Sequence, residues 1–216
     1  MHHADREQAG QALAAALALR RYADPVVLAL PRGGVPVGLE VALALGAPLD
    51  LIMVRKIGLP GQPELAVAAV VDGDRPDIEV NEEIAESAGL DREALTRMAA
   101  PRLAEIASRR ALYMAGRATV PLEGRTAIIV DDGIATGATI RAAMRAVRRQ
   151  RPARLVLAVP VAPGDTLAAL KPLADEVLCL SVPEPFMAVG AHYTAFDQVT
   201  DEEVIACLAR APGAGG

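Results

Sequence analysis

The chain has 216 residues, 52% hydrophobic and 23% charged; that length and mix suffice for a buried core, exclude general disorder and fit a single domain over 1–216. The net charge of -5 gives no domain-wide basic surface and argues against a dedicated nucleic-acid binder. Every long apolar run is broken by charge, Pro or Gly, so no transmembrane helix and no membrane partner are expected.

In chain order, His2 and His3 read as a disordered terminus. The Ala/Leu-rich run 10–19 has Asp5 and Glu7 before it and Arg20 and Arg21 after it. Those flanks suit an amphipathic opening helix and not an export signal. Residues 25–30 (PVVLAL) read as a buried strand, followed by a turn at 31–34 and a helix near 37–45. Residues 48–54 (PLDLIMV) and 65–71 (LAVAAVV) read as the second and third strands. Segment 81–117 then interrupts the alternation. It is about two helices long, and Pro101 breaks the pattern. Leu103, Ile106, Ala107 and Arg110 mark one side of a helix that continues to Tyr113. We read 81–117 as a helical insertion on the sheet, with Arg109, Arg110 and Arg117 on a solvated face. A strand at 126–130 (TAIIV), a helix at 138–150, a strand at 155–160 (LVLAVP), a helix near 165–173 and a strand at 176–180 (EVLCL) resume the alternation. Continuous apolar strands separated by helices predict an α/β fold: a doubly wound, mostly parallel sheet flanked by helices. Cys179 and Cys207 have no metal-ligand spacing, and reduced thiols in a cytoplasmic protein are the expectation.

The most informative stretch is 127–140, AIIVDDGIATGATI. A strand delivers Asp131 and Asp132 to its carboxyl end, where ligands bind in open α/β sheets. Gly133, Ala135, Thr136, Gly137, Ala138 and Thr139 follow, and then a helix with Ile140, Ala143, Met144 and Val147 on one face. A Gly-containing turn into a helix points backbone N–H groups at a positive helix end and suits a phosphate. Two carboxylates beside it suit sugar hydroxyls, met directly or through Mg²⁺. No G-x-x-x-x-G-K-[ST] occurs, and Gly33, Gly34 and Gly38 do not form G-x-G-x-x-G.

This stretch resembles the phosphoribosyl-diphosphate signature of the type I phosphoribosyltransferases, which fits 127–139 without a gap. The resemblance implies that Asp131 and Asp132 hold the ribose hydroxyls of 5-phosphoribosyl 1-diphosphate (PRPP). It implies that Ala135, Thr136, Gly137, Ala138 and Thr139 hold the 5′-phosphate. Residues 30–38, LPRGGVPVG, are similar to the family's pyrophosphate loop, with Arg32 for charge and Gly33 and Gly34 for close backbone approach. The form closest to it is found in xanthine/guanine enzymes. The family often has a non-proline cis peptide here, so a cis or strained bond is expected at Arg32–Gly33.

Two further segments are placed by position alone. Residues 54–64, VRKIGLPGQPE, read as a mobile loop. Its Arg55 and Lys56 either neutralise the leaving pyrophosphate or form a solvated basic pair. Residues 181–199 are the candidate hood over the acceptor. Its Phe186, Tyr193 and Phe196 either stack on a base or clasp an irregular tail.

The activity the resemblance implies is Mg²⁺-dependent transfer of the 5-phosphoribosyl group from PRPP to a nitrogen acceptor, a nucleobase, with release of pyrophosphate. The partners implied are PRPP, a small-molecule acceptor and a second copy in a homodimer. The alternative is a PRPP or nucleotide sensor that keeps the pocket and transfers nothing. A metal-dependent hydrolase would want further carboxylates converging on the site.

Overall fold

The computed structural model describes residues 2–72 and 77–213. The elements run α1 (Arg6–Ala18), β1 (Pro25–Ala29), α2 (Gly34–Leu45), β2 (Leu49–Leu51), β3 (Val54–Leu59), β4 (Gln62–Val71), β5 (Asp77–Val80), α3 (Glu82–Ser87), α4 (Arg92–Tyr113), β6 (Thr126–Val130), α5 (Ala138–Arg149), β7 (Arg154–Val161), α6 (Gly164–Leu170), β8 (Glu176–Ser181) and α7 (Asp201–Arg210). The central sheet is parallel, in the order β2-β1-β6-β7-β8. No helix among the described residues is long and apolar enough to cross a membrane.

The central strands read as unbroken apolar runs because both faces are covered. Side chains alternate between two layers. Val27, Ala29, Ile128 and Val130 join a core with α1, α2 and α7. Val26, Leu28, Ala127 and Ile129 join the other, against Ile140, Ala143, Met144 and Val147 of α5.

Residues 54–71 depart from the expectation. Neither a mobile loop at 54–64 nor a third parallel strand forms. β3, β4 and β5 make a separate antiparallel sheet. The hairpin turns between Leu59 and Gln62, with Gly61 at φ 84°. Residues 67–71 of β4 are buried on both faces, one in the core shared with α4 and the other in the core shared with α5. A doubly covered strand has the same apolar signature in either strand direction. The expected strand at 48–54 is likewise divided between β2 and the start of β3.

Pro101 does not break α4, which runs unbroken from Arg92 to Tyr113. Arg97 and Pro101 are both exposed, so the missing i→i−4 bond falls on the outer side of the helix, where water can meet the unpaired carbonyl. The arginines on and after α4 are not a solvated face. Arg110 bonds Asp50 at 2.9 Å and Asp72 at 2.6 Å. Arg117 donates to the carbonyl oxygen of Leu208 at 2.8 Å, and Arg109 to Tyr113 and Asp201. Each reaches an acid or carbonyl on another element of the fold.

His3 is packed against the chain's later residues where a disordered terminus was expected. His3 is 3% exposed. Its N–H donates to the carbonyl of His192, its own carbonyl accepts from Thr194, and Ala4 accepts from Ala195. Asp5 then caps α1 by accepting from the N–H of Gln8.

Candidate functional site

The strand order reverses at β1. Its neighbour on one side is β2, next in the chain, and on the other β6. The crevice beyond the carboxyl ends of β1 and β6 is therefore the switch point of the sheet. Both sequence signatures end there. A Cβ built on Gly33 would lie 2.1 Å from Asp132 Oδ2, and one on Gly34 would lie 2.9 Å from the carbonyl oxygen of Val130 and 3.0 Å from Asp131 Cα. The loop after β1 thus lays bare backbone against the acid pair after β6. The non-proline cis peptide is present but is Pro31–Arg32, one bond before the expected Arg32–Gly33.

Asp131 accepts from the N–H of Asp132 at 2.9 Å. Burial, and then the charge of Asp132, push its carboxyl well above the ordinary range. Burial also pushes Asp132 up, against the opposing hydrogen bond and charge of Arg6. Arg6 Nε donates to Asp132 Oδ2 at 2.8 Å, and Tyr193 donates its hydroxyl to the main-chain oxygen of Asp132 at 2.5 Å.

The turn from Ala135 to Thr139 leads into α5 through Gly137, at φ 72°, with no side-chain cap on the helix. Across this junction the N–H of Arg141 donates to Gly137 O at 2.8 Å. The earlier amides of the helix are its orphan donors. Thr166 ties the turn down from outside by donating to Ala135 O at 3.0 Å. Thr136 is exposed and Thr139 half-buried.

Arg32 reaches Asp201 at the start of α7, at 3.4 Å. Asp201 Oδ1 also accepts from Tyr113 at 2.5 Å and Arg109 at 3.3 Å. The Tyr113 hydrogen bond, with the two arginines, holds the Asp201 carboxyl below its ordinary range. Arg55 and Lys56 part company on β3. Arg55 turns to α4 and pairs with Glu105 at 2.9 Å. Lys56 lines a cavity of about 590 Å³ that Ala138 and Arg141 of α5 also line.

The hood aromatics are brought together. Tyr193 stacks on Phe196 with centroids 4.9 Å apart, and Phe186 on His192 at 5.8 Å. Tyr193 is 5% exposed, and Arg6 covers the Phe196 ring at 3.9 Å. For Tyr193 and Phe196 the geometry is that of the clasp. Arg6 and Asp201 are absent from the sequence expectations. An arginine at a helix start carries no motif. Thr200-x-x-Glu203, which caps α7 and so locates Asp201, is readable as a capping box.

Comparison with known proteins gives a consistent picture. The family model described as "Phosphoribosyl transferase domain" matches residues 2–193. Two proteins of Mycobacterium tuberculosis, named "Putative phosphoribosyl transferase MT0597" (strain CDC 1551 / Oshkosh) and "Putative phosphoribosyl transferase Rv0571c" (strain ATCC 25618 / H37Rv), are each 47% identical over 208 residues. The match covers 96% of this chain and 46% of theirs, so the chain spans less than half the length of these curated relatives. The crystal structure of TT1426 from Thermus thermophilus is similar with a TM-score of 0.87 and 44% identity, covering 99% of this chain and 100% of that one.

Proposed function

The chain belongs to the phosphoribosyl transferase domain family, and from that premise we propose that it transfers the 5-phosphoribosyl group of PRPP to a nitrogen acceptor, a nucleobase, releasing pyrophosphate. The observation that carries this reading is the contact of Gly33 and Gly34 with Asp132 and Asp131. One sugar phosphate can then touch the loop, the acids and the uncapped start of α5 together.

In this reading the ribose hydroxyls donate to Asp131 and Asp132. The 5′-phosphate accepts from the amides of 135–139 at the positive end of α5, with Thr136 and Thr139 adding hydroxyls. The pyrophosphate lies on the backbone of 32–34 beside Arg32, and Lys56 neutralises it from β3 with Arg55 behind it. Among the described residues no group of three or more His, Cys, Asp or Glu could hold a metal. Adjacent carboxylates still fit Mg²⁺, which is commonly held by one or two carboxylates and the substrate's own oxygens. When bound, the ion offsets charge on the leaving pyrophosphate.

The protein's contribution is position and charge. Pyrophosphate leaves C1, positive charge develops on the ring, and the acceptor nitrogen attacks C1 from the hood side. Asp131 or Asp132 takes the acceptor's proton. Calorimetry with Mg²⁺ and PRPP tests the pocket. The wild-type chain should bind and the Asp131→Ala, Asp132→Ala double variant should not; equal binding by both overturns the ribose assignment. Pyrophosphate release across a panel of nucleobases and small amines tests transfer.

A second reading is a PRPP or nucleotide sensor. It is favoured by Arg6, Tyr193 and Phe196, which cover Asp132 on the hood side with protein. Tight PRPP binding with no pyrophosphate release from any acceptor would select it. The homodimer and the cytoplasmic setting belong to the same proposal, and sedimentation of the purified chain checks the dimer.

A further inference from the structure

Arg6 belongs to no signature, yet its guanidinium is engaged on three sides. Nε donates to Asp132 Oδ2 at 2.8 Å, Nη1 donates to the main-chain oxygen of Asp197 at 2.7 Å, and the ring of Phe196 lies beneath it at 3.9 Å. The Arg6 and Asp132 side chains are only 12% and 14% exposed. The segment that carries Arg6 is itself pinned. His3 and Ala4 bond to residues 192–195, the His3 ring lies 5.8 Å from that of Tyr193, and Asp5 caps α1.

Asp132 is therefore gripped at Oδ2 by Arg6, at its main-chain oxygen by Tyr193 and from the side by the backbone of Gly33. Its Oδ1 accepts from no other described residue. A carboxylate already fixed by a charged donor loses little rotamer freedom when a ligand arrives, and its remaining oxygen is presented in one direction.

We propose that Arg6 is a positioning residue of the sugar site: it fixes the Asp132 carboxylate so that Oδ1 meets a ribose hydroxyl. The inference rests on the phosphoribosyl reading of the site. It makes the N-terminal strap a working part of the pocket, acting through Asp132 and not on the sugar itself. The arrangement differs from a latch, in which the guanidinium would hold the carboxylate away from the sugar and leave before binding.

The experiment is calorimetric titration of Mg²⁺–PRPP into the full chain, R6A, R6K, D132N and the R6A/D132N pair, each checked for folding by thermal denaturation. R6A should bind about tenfold more weakly or worse, the scale of one lost charge-assisted hydrogen bond. R6K should recover part of the loss, because the charge returns without the planar fork. In the D132N background R6A should add little, the non-additivity expected when one residue acts through the other. R6A binding as well as wild type, or tighter, overturns the inference; tighter binding identifies a latch. A loss of the same size in the D132N background also overturns it, since Arg6 then supports the fold and not the carboxylate. Should R6A not fold, R6K measured with and without D132N decides by the same non-additivity. Absence of binding by the wild-type chain sinks the phosphoribosyl reading and this inference with it, whereas wild-type binding undiminished in R6A sinks this inference alone.

Discussion

Gly33 and Asp132 are in such close apposition that a Cβ on the glycine would sit 2.1 Å from the carboxylate oxygen Oδ2. The two signatures, about a hundred residues apart, are one packed unit. Gly33 has φ -60°, open to any residue, so the glycine is required by contact and not by conformation. Gly33→Ala must push the Asp132 carboxylate off Arg6. The far end of a side chain can yield, so we expect the fold to survive at a cost of about 1–3 kcal/mol. Affinity for Mg²⁺–PRPP should fall with it. Thermal denaturation beside calorimetry checks both, and unaltered binding would contradict the packing.

Arg110 joins the insertion to the sheet through two buried acids. Asp50 and Asp72 are 2% and 5% exposed at the side chain. Asp50 also accepts from the N–H groups of Leu51 and Val120, and Asp72 from that of Met53. Arg110→Ala leaves both carboxylates without their cation, which costs about 3–5 kcal/mol when a buried pair loses one partner. Arg110→Lys should lose less, because the charge stays, but it cannot fork to both acids. Urea unfolding measures the difference, and a loss below about 1 kcal/mol for Arg110→Ala would place the pair in solvent.

The same cluster sets a pH dependence. Burial raises the Asp72 carboxyl above its ordinary 3.8, against the opposing charge of Arg110 and the Met53 hydrogen bond. The folded chain then keeps a proton that the unfolded chain has released. Across the window that opens near 3.8 and closes at the raised value, this group's contribution to stability falls as pH rises. Asp201 and Asp175 are lowered and act in the opposite sense. The quantity to follow is therefore the difference between wild type and Asp72→Asn in unfolding free energy from about pH 3 to 8. It should move against wild type as pH rises, and a flat difference would remove the assignment.

The legible parts of this chain were those where one residue type has one structural use. Continuous apolar runs gave the central strands, because a sheet covered on both faces needs no polar alternation. Asp131, Asp132 and the Gly137 turn were legible because adjacent acids and a Gly–Thr turn after a buried strand have few other uses. Residues 54–71 were not, since a doubly covered strand has the same pattern whether its neighbour is parallel or antiparallel. His3 and Arg6 were illegible for a different reason. Their partners, Tyr193 and Asp132, lie more than a hundred residues away, and nothing local marks a polar side chain for burial. Arg110 illustrates the same limit, because an arginine on a helix reads as solvated until its two acids are placed.

Gly137 combines both demands that can be made on a glycine. At φ 72° it lies in the left-handed region, where a side chain costs about 1–2 kcal/mol. A Cβ there would also lie 2.7 Å from Thr166 Cγ2, and the hydroxyl of that threonine holds Ala135 O. Gly137→Ala should therefore lower stability and loosen the turn that offers its amides to the 5′-phosphate. Thr166→Ser removes the crowding methyl and keeps the hydroxyl. Added to Gly137→Ala, it should recover the steric part of the stability loss and leave the backbone part. Affinity for Mg²⁺–PRPP should follow the same order: wild type, the double variant, then Gly137→Ala. If Thr166→Ser rescues nothing, the loss is wholly one of backbone strain and Thr166 does not press on the turn.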